Sequence, residues 1–482
     1  MRLSSALLTD FYAFTMAQNF FQQKRSHEIA YFDYYFRRLP DAGGYAIFAG
    51  LAQVLQHLEQ LKFSEEEIQF LQDKALFSAD FLTYLRHFRF TGEVWAMQEG
   101  SVVFPNEPLL TIRAPLIECV LIETFLLLTL NHQSLIATKA ARIVRAANGR
   151  AVYEFGARRA HGASAAYDGT RAAYIGGISG SSNMQSAWLD GVPVLGTMSH
   201  AYVQSFDDEY TAFLSYAETY PDKTTLLVDT YDVLRSGVPH AIRLHQEYLA
   251  PRGYRLMGIR IDSGDLAYLS QRARKMLDAA GLTDCRIIVS NALDEYIITD
   301  LLRQEAAIDG FGVGENLITA KSDPVFGGVY KIVALEQTNP EGKLIQVPKI
   351  KVSESVGKTT TPAFKQVWRL YDDHNKALAD VVGLHDEVID ETKPYTLIDP
   401  EHRWKHKTVE NFRAEPRLTL VFQHGKALSQ PSLEQIRNHC QREQSALWNE
   451  MKRLEYPHRY YVDLSQQLWQ LKHDLIMQNR ER

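Results

Sequence analysis

A chain of 482 residues with 52 lysines and arginines against 58 aspartates and glutamates carries a net charge of −6. That length calls for two or three domains, one of them large, and the charge balance leaves no electrostatic footprint for nucleic acid. The longest apolar run, over 119–130, contains Glu123 and is too short to cross a bilayer.

The N-terminus meets Asp10 before any signal-peptide core forms. Cys119, Cys285 and Cys440 stand far apart without paired metal-ligand spacing, which reads as free thiols of a cytoplasmic protein. The first 90 residues are mainly helix-period and aromatic-rich, with a turn at 40–44 and an acidic surface helix near 63–75. Residues 92–115 predict short antiparallel strands, and a long apolar helix is expected over 116–147.

Beyond this point short apolar runs recur, with helical stretches between most of them. They are AVYEF from 151, AAYIG from 172, VPVLG from 192, TLLVD from 225, YRLMGIRI from 254, RIIVS from 286, DGFGVG from 309 and VYKIVAL from 329. Strands alternating with helices predict a parallel sheet with buried faces. So many units in under 200 residues point to a barrel more than to an open sheet. After 336 the chain turns loop-rich and charged, with a strand-like run at 417–422 and a polar helical tail from about Ser432. The expected division is an N-terminal α+β domain over 1–136 joined by 336–430, an irregular parallel β/α barrel over 137–335, and a helical tail over 431–482.

The chemistry lies in the loops that leave the strands. In a parallel β/α barrel all strand C-termini open on one face, so their loops converge. Those loops read GARRAHG, GGISGSSN, GTMSH, DTYD, DSGD, SNALDE and GVGEN, a collection of arginines, small turns, one histidine and several acids suited to an anionic, phosphorylated substrate with a divalent metal. The glycines of 176–180 and of Gly312 and Gly314 let backbone amides approach an oxyanion. Arg158 comes after the loop-opening Gly156, and a guanidinium matches carboxylate or phosphate with paired donors. His200 has no second histidine or cysteine at ligand spacing, so zinc is not indicated; general base, metal ligand, phosphoryl acceptor and simple loop histidine all remain open. Arg260 and Asp262, in GIRIDSGDL, fit either a substrate site or a helix cap.

Together LLTDFYAFTMA (7–17), FDYYFRRLPDAGGYAIFAGL, EFGARR, GTMSH, GIRIDSGDL, GVYK and TPAFKQVWRLYD, in this order and spacing, resemble the nicotinate phosphoribosyltransferase family; the last hundred or so residues match only loosely. The resemblance implies a type II phosphoribosyltransferase fold. It also implies transfer of phosphoribose from 5-phosphoribosyl-1-diphosphate to nicotinate, giving nicotinate mononucleotide and diphosphate in NAD salvage, coupled to ATP hydrolysis and assisted by Mg2+. By the same resemblance His200 is the catalytic residue that becomes phosphohistidine. Tyr12 stacks on the pyridine ring, Arg158 lies near nicotinate and the ribose phosphate, and Thr197 and Arg260 belong to the nicotinate site. Asp262 is the catalytic acid near the ribose and, indirectly, the metal; Gly312 and Gly314 form the 5-phosphate loop, and Thr360 contacts the phosphoribosyl diphosphate. Family members work as homodimers with shared active sites, the N-terminal tyrosine of one subunit reaching the site of the other.

Two departures stand out: Ala363 replaces the usual glycine of a Pro-Gly-Phe-Lys turn, and Gly180-Ser181-Ser182 replaces Gly-Thr-Ser. The nearest rival is the nicotinamide-using relative, which has an aspartate where Ser182 aligns. A carboxylate there repels nicotinate, whereas a hydroxyl donates to it, so Ser182 favours the acid. A metal-dependent phosphosugar-processing barrel is a remoter alternative; it requires a Schiff-base lysine at a strand end, for which only Lys331 stands close, or a cluster of histidines, and none is seen.

Overall fold

A computed structural model describes residues 5–400 and 402–480. The chain divides into two compact units, one made of Met1–Leu135 with Val325–Arg482 and the other of Ile136–Pro324. The second is therefore inserted in the sequence of the first.

The first unit is built on a seven-stranded antiparallel sheet, ordered Leu344–Pro348, Val329–Thr338, Ile29–Tyr35, Leu110–Pro115, Glu93–Ala96, Thr419–Gln423 and Lys426–Ala427. The run VYKIVAL, expected as the last barrel strand, belongs here. It pairs antiparallel with Ile29–Tyr35, placing Tyr34 opposite Tyr330. IAYFDYY is buried on both faces, so it shows none of the alternation that marks a half-exposed strand. The expected helix over 116–147 forms as Leu116–Leu121 and Glu123–Ala146.

The Ala363 turn holds its backbone at φ +71, a left-handed conformation that costs an L-residue about 1–2 kcal/mol. Lys365, fully buried, offsets the strain by donating to the carbonyls of Thr361 (3.0 Å), Pro362 (3.2 Å) and Ala363. Its charge is balanced by Asp33 at 2.8 Å, which also accepts from the Thr111 hydroxyl at 2.8 Å.

The segment after 336 is more ordered than its composition suggests. A four-stranded sheet runs Arg413–Pro416, Lys365–Tyr371, Ala377–Leu384 and Val462–Leu464, the last strand entering parallel. The polar tail supplies both that strand and a helix, Leu433–Ala446, started by a capping box between Ser432 and Gln435. Its Glu443 reaches the buried Arg369 (2.8 Å), whose guanidinium also forks onto Asp380 (2.8 and 2.7 Å) and donates to the Val102 carbonyl (3.0 Å).

Asp463, on the parallel strand, has its carboxyl pushed from an ordinary 3.8 up to about 6, by burial and then by Asp399. A carboxyl with a raised folded pKa holds its proton more tightly in the fold. Stability is therefore lost as pH climbs from about 4 through 6, and the penalty is complete above that window. Asp463→Asn is expected to raise stability at pH 8 by about 1–2 kcal/mol, with the gain vanishing below about pH 4. Urea denaturation at the two pH values checks it, and a pH-independent difference would contradict the assignment.

The second unit contains six parallel strands: β1 (Ala151–Glu154), β2 (Gly180–Ser181), β3 (Thr225–Leu227), β4 (Gly258–Ile261), β5 (Arg286–Ser290) and β6 (Gly310–Val313). They are ordered β2-β1-β6-β5-β4-β3. Among the described residues no ladder joins β2 to β3, so the sheet is half a barrel rather than a closed one. AAYIG, expected as a strand, is the last turn and a half of helix α1 (Ala163–Gly176), which ends at Gly177 with φ +115. Such a left-handed glycine is a helix terminator. VPVLG contributes only the isolated bridge of Val194 with Ser181. No helix among the described residues is long and apolar enough to cross a membrane.

Candidate active site

The C-terminal ends of β3, β4 and β5 bring a polar cluster together, because parallel pairing sets equivalent positions side by side. Arg260, on β4, is mostly buried and points its guanidinium across β5: Nε donates to Ser290 Oγ (3.2 Å) and a terminal nitrogen to Thr197 Oγ1 (3.2 Å). Phe155, just past β1, lies under the same guanidinium at 5.9 Å. Asp262 stands directly after β4. Its Oδ1 accepts from Ser290 Oγ and lies 3.6 Å from Arg260, while its Oδ2 faces His200 Nε2 at 3.8 Å.

Asp229 completes the group. It sits past β3, in the loop DTYD, where the sequence alone assigns no role to any one residue. Its Oδ2 accepts from the Asp262 backbone N–H (2.9 Å) and the Ser263 hydroxyl (2.6 Å). Its Oδ1 is buried without a hydrogen-bond partner and lies 3.9 Å from His200 Nε2. His200 is thus set between two carboxylates on one nitrogen and Thr230 Oγ1 (3.2 Å) on the other. The helix cap that Asp262 might have formed falls to Asp265, which accepts from Tyr268 N–H (3.0 Å); Ser263 instead braces Asp229.

Two further loops come from β1 and β2. Arg158 is exposed in a one-turn helix, Ala157–Arg159, directly after Gly156. Ser182 is exposed at the end of β2, its N–H bonded to the Glu154 carbonyl (3.1 Å). Gly312 is buried inside β6, where an added Cβ would stand 2.4 Å from the Phe155 ring, so the glycine seats that ring. Gly314 is the residue before a short helix, where an added Cβ would stand 3.8 Å from the Phe155 carbonyl oxygen, an ordinary contact.

Tyr12 and Thr360 belong to the first unit. Tyr12 opens the helix Phe11–Gln22 half-exposed, its phenol pushed up to about 12 by burial, then by Glu123 and Asp10. Thr360 is buried; its hydroxyl accepts from Lys351 N–H (2.9 Å).

Among the described residues no group of three or more His, Cys, Asp or Glu is placed to hold a metal by itself. Mg2+ asks for less, since it takes one or two carboxylates and completes its shell with water and substrate phosphates. Asp262 and the unpartnered Oδ1 of Asp229 fit that demand.

The chain matches the N-terminal domain of nicotinate phosphoribosyltransferase over residues 7–131, the nicotinate phosphoribosyltransferase family over 151–379, and the C-terminal domain over 364–472. Nicotinate phosphoribosyltransferase of Bacillus subtilis (strain 168) is 45% identical over 99% of this chain and 96% of that protein. The Homo sapiens protein of the same name is 32% identical over 97% of this chain and 96% of its own. The crystal structure of human nicotinic acid phosphoribosyltransferase superposes with a TM-score of 0.83 at 30% identity, covering 97% of this chain and 100% of that one. The loosely matching tail is thus part of the family pattern too, and the chain belongs to the nicotinate phosphoribosyltransferase family.

Proposed function

We infer that this chain is an enzyme of NAD salvage that transfers phosphoribose from 5-phosphoribosyl-1-diphosphate to the ring nitrogen of nicotinate. The observation that carries the reading in structural terms is the packing of Arg260, Thr197, Asp262 and Asp229 around His200 at neighbouring strand ends. A new bond forms between the pyridine nitrogen and the anomeric carbon as the carbon–oxygen bond to diphosphate breaks, and diphosphate leaves with the electron pair. Positive charge gathers on the ribose meanwhile, and the Asp262 carboxylate stabilises it. Arg260, held by Ser290 and Thr197, presents a positive charge to the nicotinate carboxylate, with Arg158 and Ser182 as additional donors. No side-chain nucleophile is required, since the pyridine nitrogen supplies it.

His200 is the proposed phosphoryl acceptor for ATP. Its Nδ1 meets Thr230 Oγ1 (3.2 Å), which fixes the ring so that Nε2 is directed between the Asp262 and Asp229 carboxylates at 3.8 and 3.9 Å. Asp262 and Asp229 are the groups that would hold Mg2+, which supplies charge neutralisation for the departing diphosphate. Gly314 and Thr360 are proposed contacts of the phosphoribosyl diphosphate, and Gly312 a support for Phe155. The exposed Phe11 and Tyr12 support a homodimer with shared sites, Tyr12 stacking on the pyridine of the partner. Three buried free cysteines fit a cytoplasmic enzyme.

The test is diphosphate release from phosphoribosyl diphosphate, with nicotinate or nicotinamide, with and without ATP, in wild type and His200→Ala. Nicotinate is expected to react at least about 100-fold faster than nicotinamide, the scale of a hydrogen bond to a charged group; equal rates would remove the argument from Ser182. His200→Ala is expected to lose ATP stimulation and retain a slow ATP-independent reaction. Intact ATP coupling would take the phosphoryl role away from His200.

A further inference from the structure

Glu154 ends β1 with its side chain completely buried, an expensive place for a carboxylate without a purpose. All of its contacts are donors. Oε1 accepts from the Gly156 backbone N–H and Oε2 from Ser181 Oγ (2.6 Å); Thr170 Oγ1 stands 3.0 Å from Oε2 and shares its single hydrogen between Glu154 and the Ala166 carbonyl (2.8 Å). The Ser181 hydroxyl in turn accepts from Asn183 N–H (2.9 Å), which commits its own hydrogen to Glu154. Asn183 then caps helix Met184–Asp190 through Gln185 N–H (3.1 Å) and donates from its amide to Thr170 Oγ1 (3.1 Å). One acceptor-only group therefore fixes the turn after β1, the turn after β2 and the middle of α1. An amide in its place can keep the Gly156 bond with its oxygen but turns an N–H toward the two hydroxyls, so Ser181 loses the acceptor for its hydrogen.

We propose that Glu154 is a positioning residue for substrate binding: it holds the two loops that carry Arg158 and Ser182, and so sets the affinity for the nicotinate carboxylate. The proposal rests on the reading that those two side chains face the substrate. It concerns binding rather than chemistry, because neither loop carries Asp262 or His200.

Glu154→Gln keeps the size and packing of the side chain, and Ser181→Ala cuts only the arm to Asn183, so both variants are expected to fold. Steady-state kinetics should show the nicotinate KM of Glu154→Gln raised about tenfold and that of Ser181→Ala about threefold, with kcat within about threefold of wild type. Hydrogen exchange of the substrate-free protein should show faster exchange in 156–160 for Glu154→Gln and in 180–185 for Ser181→Ala. A nicotinate KM within about twofold of wild type in both variants, or unchanged exchange in both loops, overturns the proposal. Arg158→Ala and Ser182→Ala are measured alongside. A wild-type nicotinate KM in those two would refute the contact assignments, while the exchange measurement still decides whether Glu154 holds the loops.

Discussion

Asp262→Asn lowers turnover by at least about 100-fold while leaving the nicotinate KM within about threefold, if Asp262 stabilises the positive ribose of the transition state. The substitution is nearly isosteric. Asparagine can still accept from Ser290, and the backbone N–H that donates to Asp229 is unaffected, so the melting temperature should stay within about 2 °C. Loss of charge without loss of shape then separates the electrostatic role from a structural one. A structural residue would give the reverse pattern: normal turnover in a less stable protein. Rapid-quench measurement of diphosphate release, beside thermal unfolding, decides between them.

A second large effect is expected far from any proposed chemistry, at Arg369. Its guanidinium is 1% exposed, forks onto Asp380, reaches Glu443 and lies over the rings of Phe104 and Tyr460. Asp380 also accepts from the Tyr460 hydroxyl (2.8 Å), and Arg417 shares Glu443 from the other side. Burial, then Asp380, holds the neighbouring Glu107 carboxyl well above its ordinary range and favours its protonated form, so the region already avoids a further negative charge. Arg369→Met leaves Asp380 buried without a cation and should cost about 3–5 kcal/mol in urea denaturation. Arg369→Lys should lose much of the same, since an ammonium cannot fork onto a carboxylate. Adding Asp380→Asn to Arg369→Met should recover part of the loss by removing the stranded charge. A cost below about 1 kcal/mol for Arg369→Met would show that the network is not what ties the helix Leu433–Ala446 to the sheet.

The range of each interaction decides whether it is legible in the sequence. Arg260 and Asp262 stand out because an arginine and an acid at the end of an apolar strand conflict with burial, and that conflict is local. Thr197 and His200 come after a run that forms only an isolated bridge, yet they gather with Arg260 and Asp262. Asp229 looks like an ordinary acid of a polar loop. Its importance comes from the β3–β4 pairing, which brings it onto a backbone N–H 33 positions further along, and no spacing rule encodes that contact. Glu154 is hidden in the same way, as the polar letter of an otherwise apolar strand.

The fold errors have equally physical causes. AAYIG reads as a strand when taken alone, but it closes a 14-residue helix whose buried face happens to end in Ala172, Ala173 and Ile175. VYKIVAL is a strand as expected, yet its partner, Ile29–Tyr35, is buried on both faces and so offers no alternation to pair it with. A barrel counted from apolar runs is overcounted for these reasons: two of the eight runs lie outside the parallel sheet and a third touches it through a single bridge.

The insertion of one unit within the other bears on the order in which the protein can be made. During synthesis, Ile29–Tyr35 and Leu110–Pro115 leave the ribosome early, whereas the strand on the other side of Ile29–Tyr35, Val329–Thr338, emerges only after the whole of the inserted unit. Until then a strand of mostly aromatic, buried side chains has one edge of its backbone unpaired, the condition under which chains stick to one another. The inserted unit is contiguous and its strand pairings lie within its own span. A nascent chain stalled after residue 324 would carry a complete parallel sheet beside an incomplete antiparallel one, and it is the latter that a chaperone would have to cover.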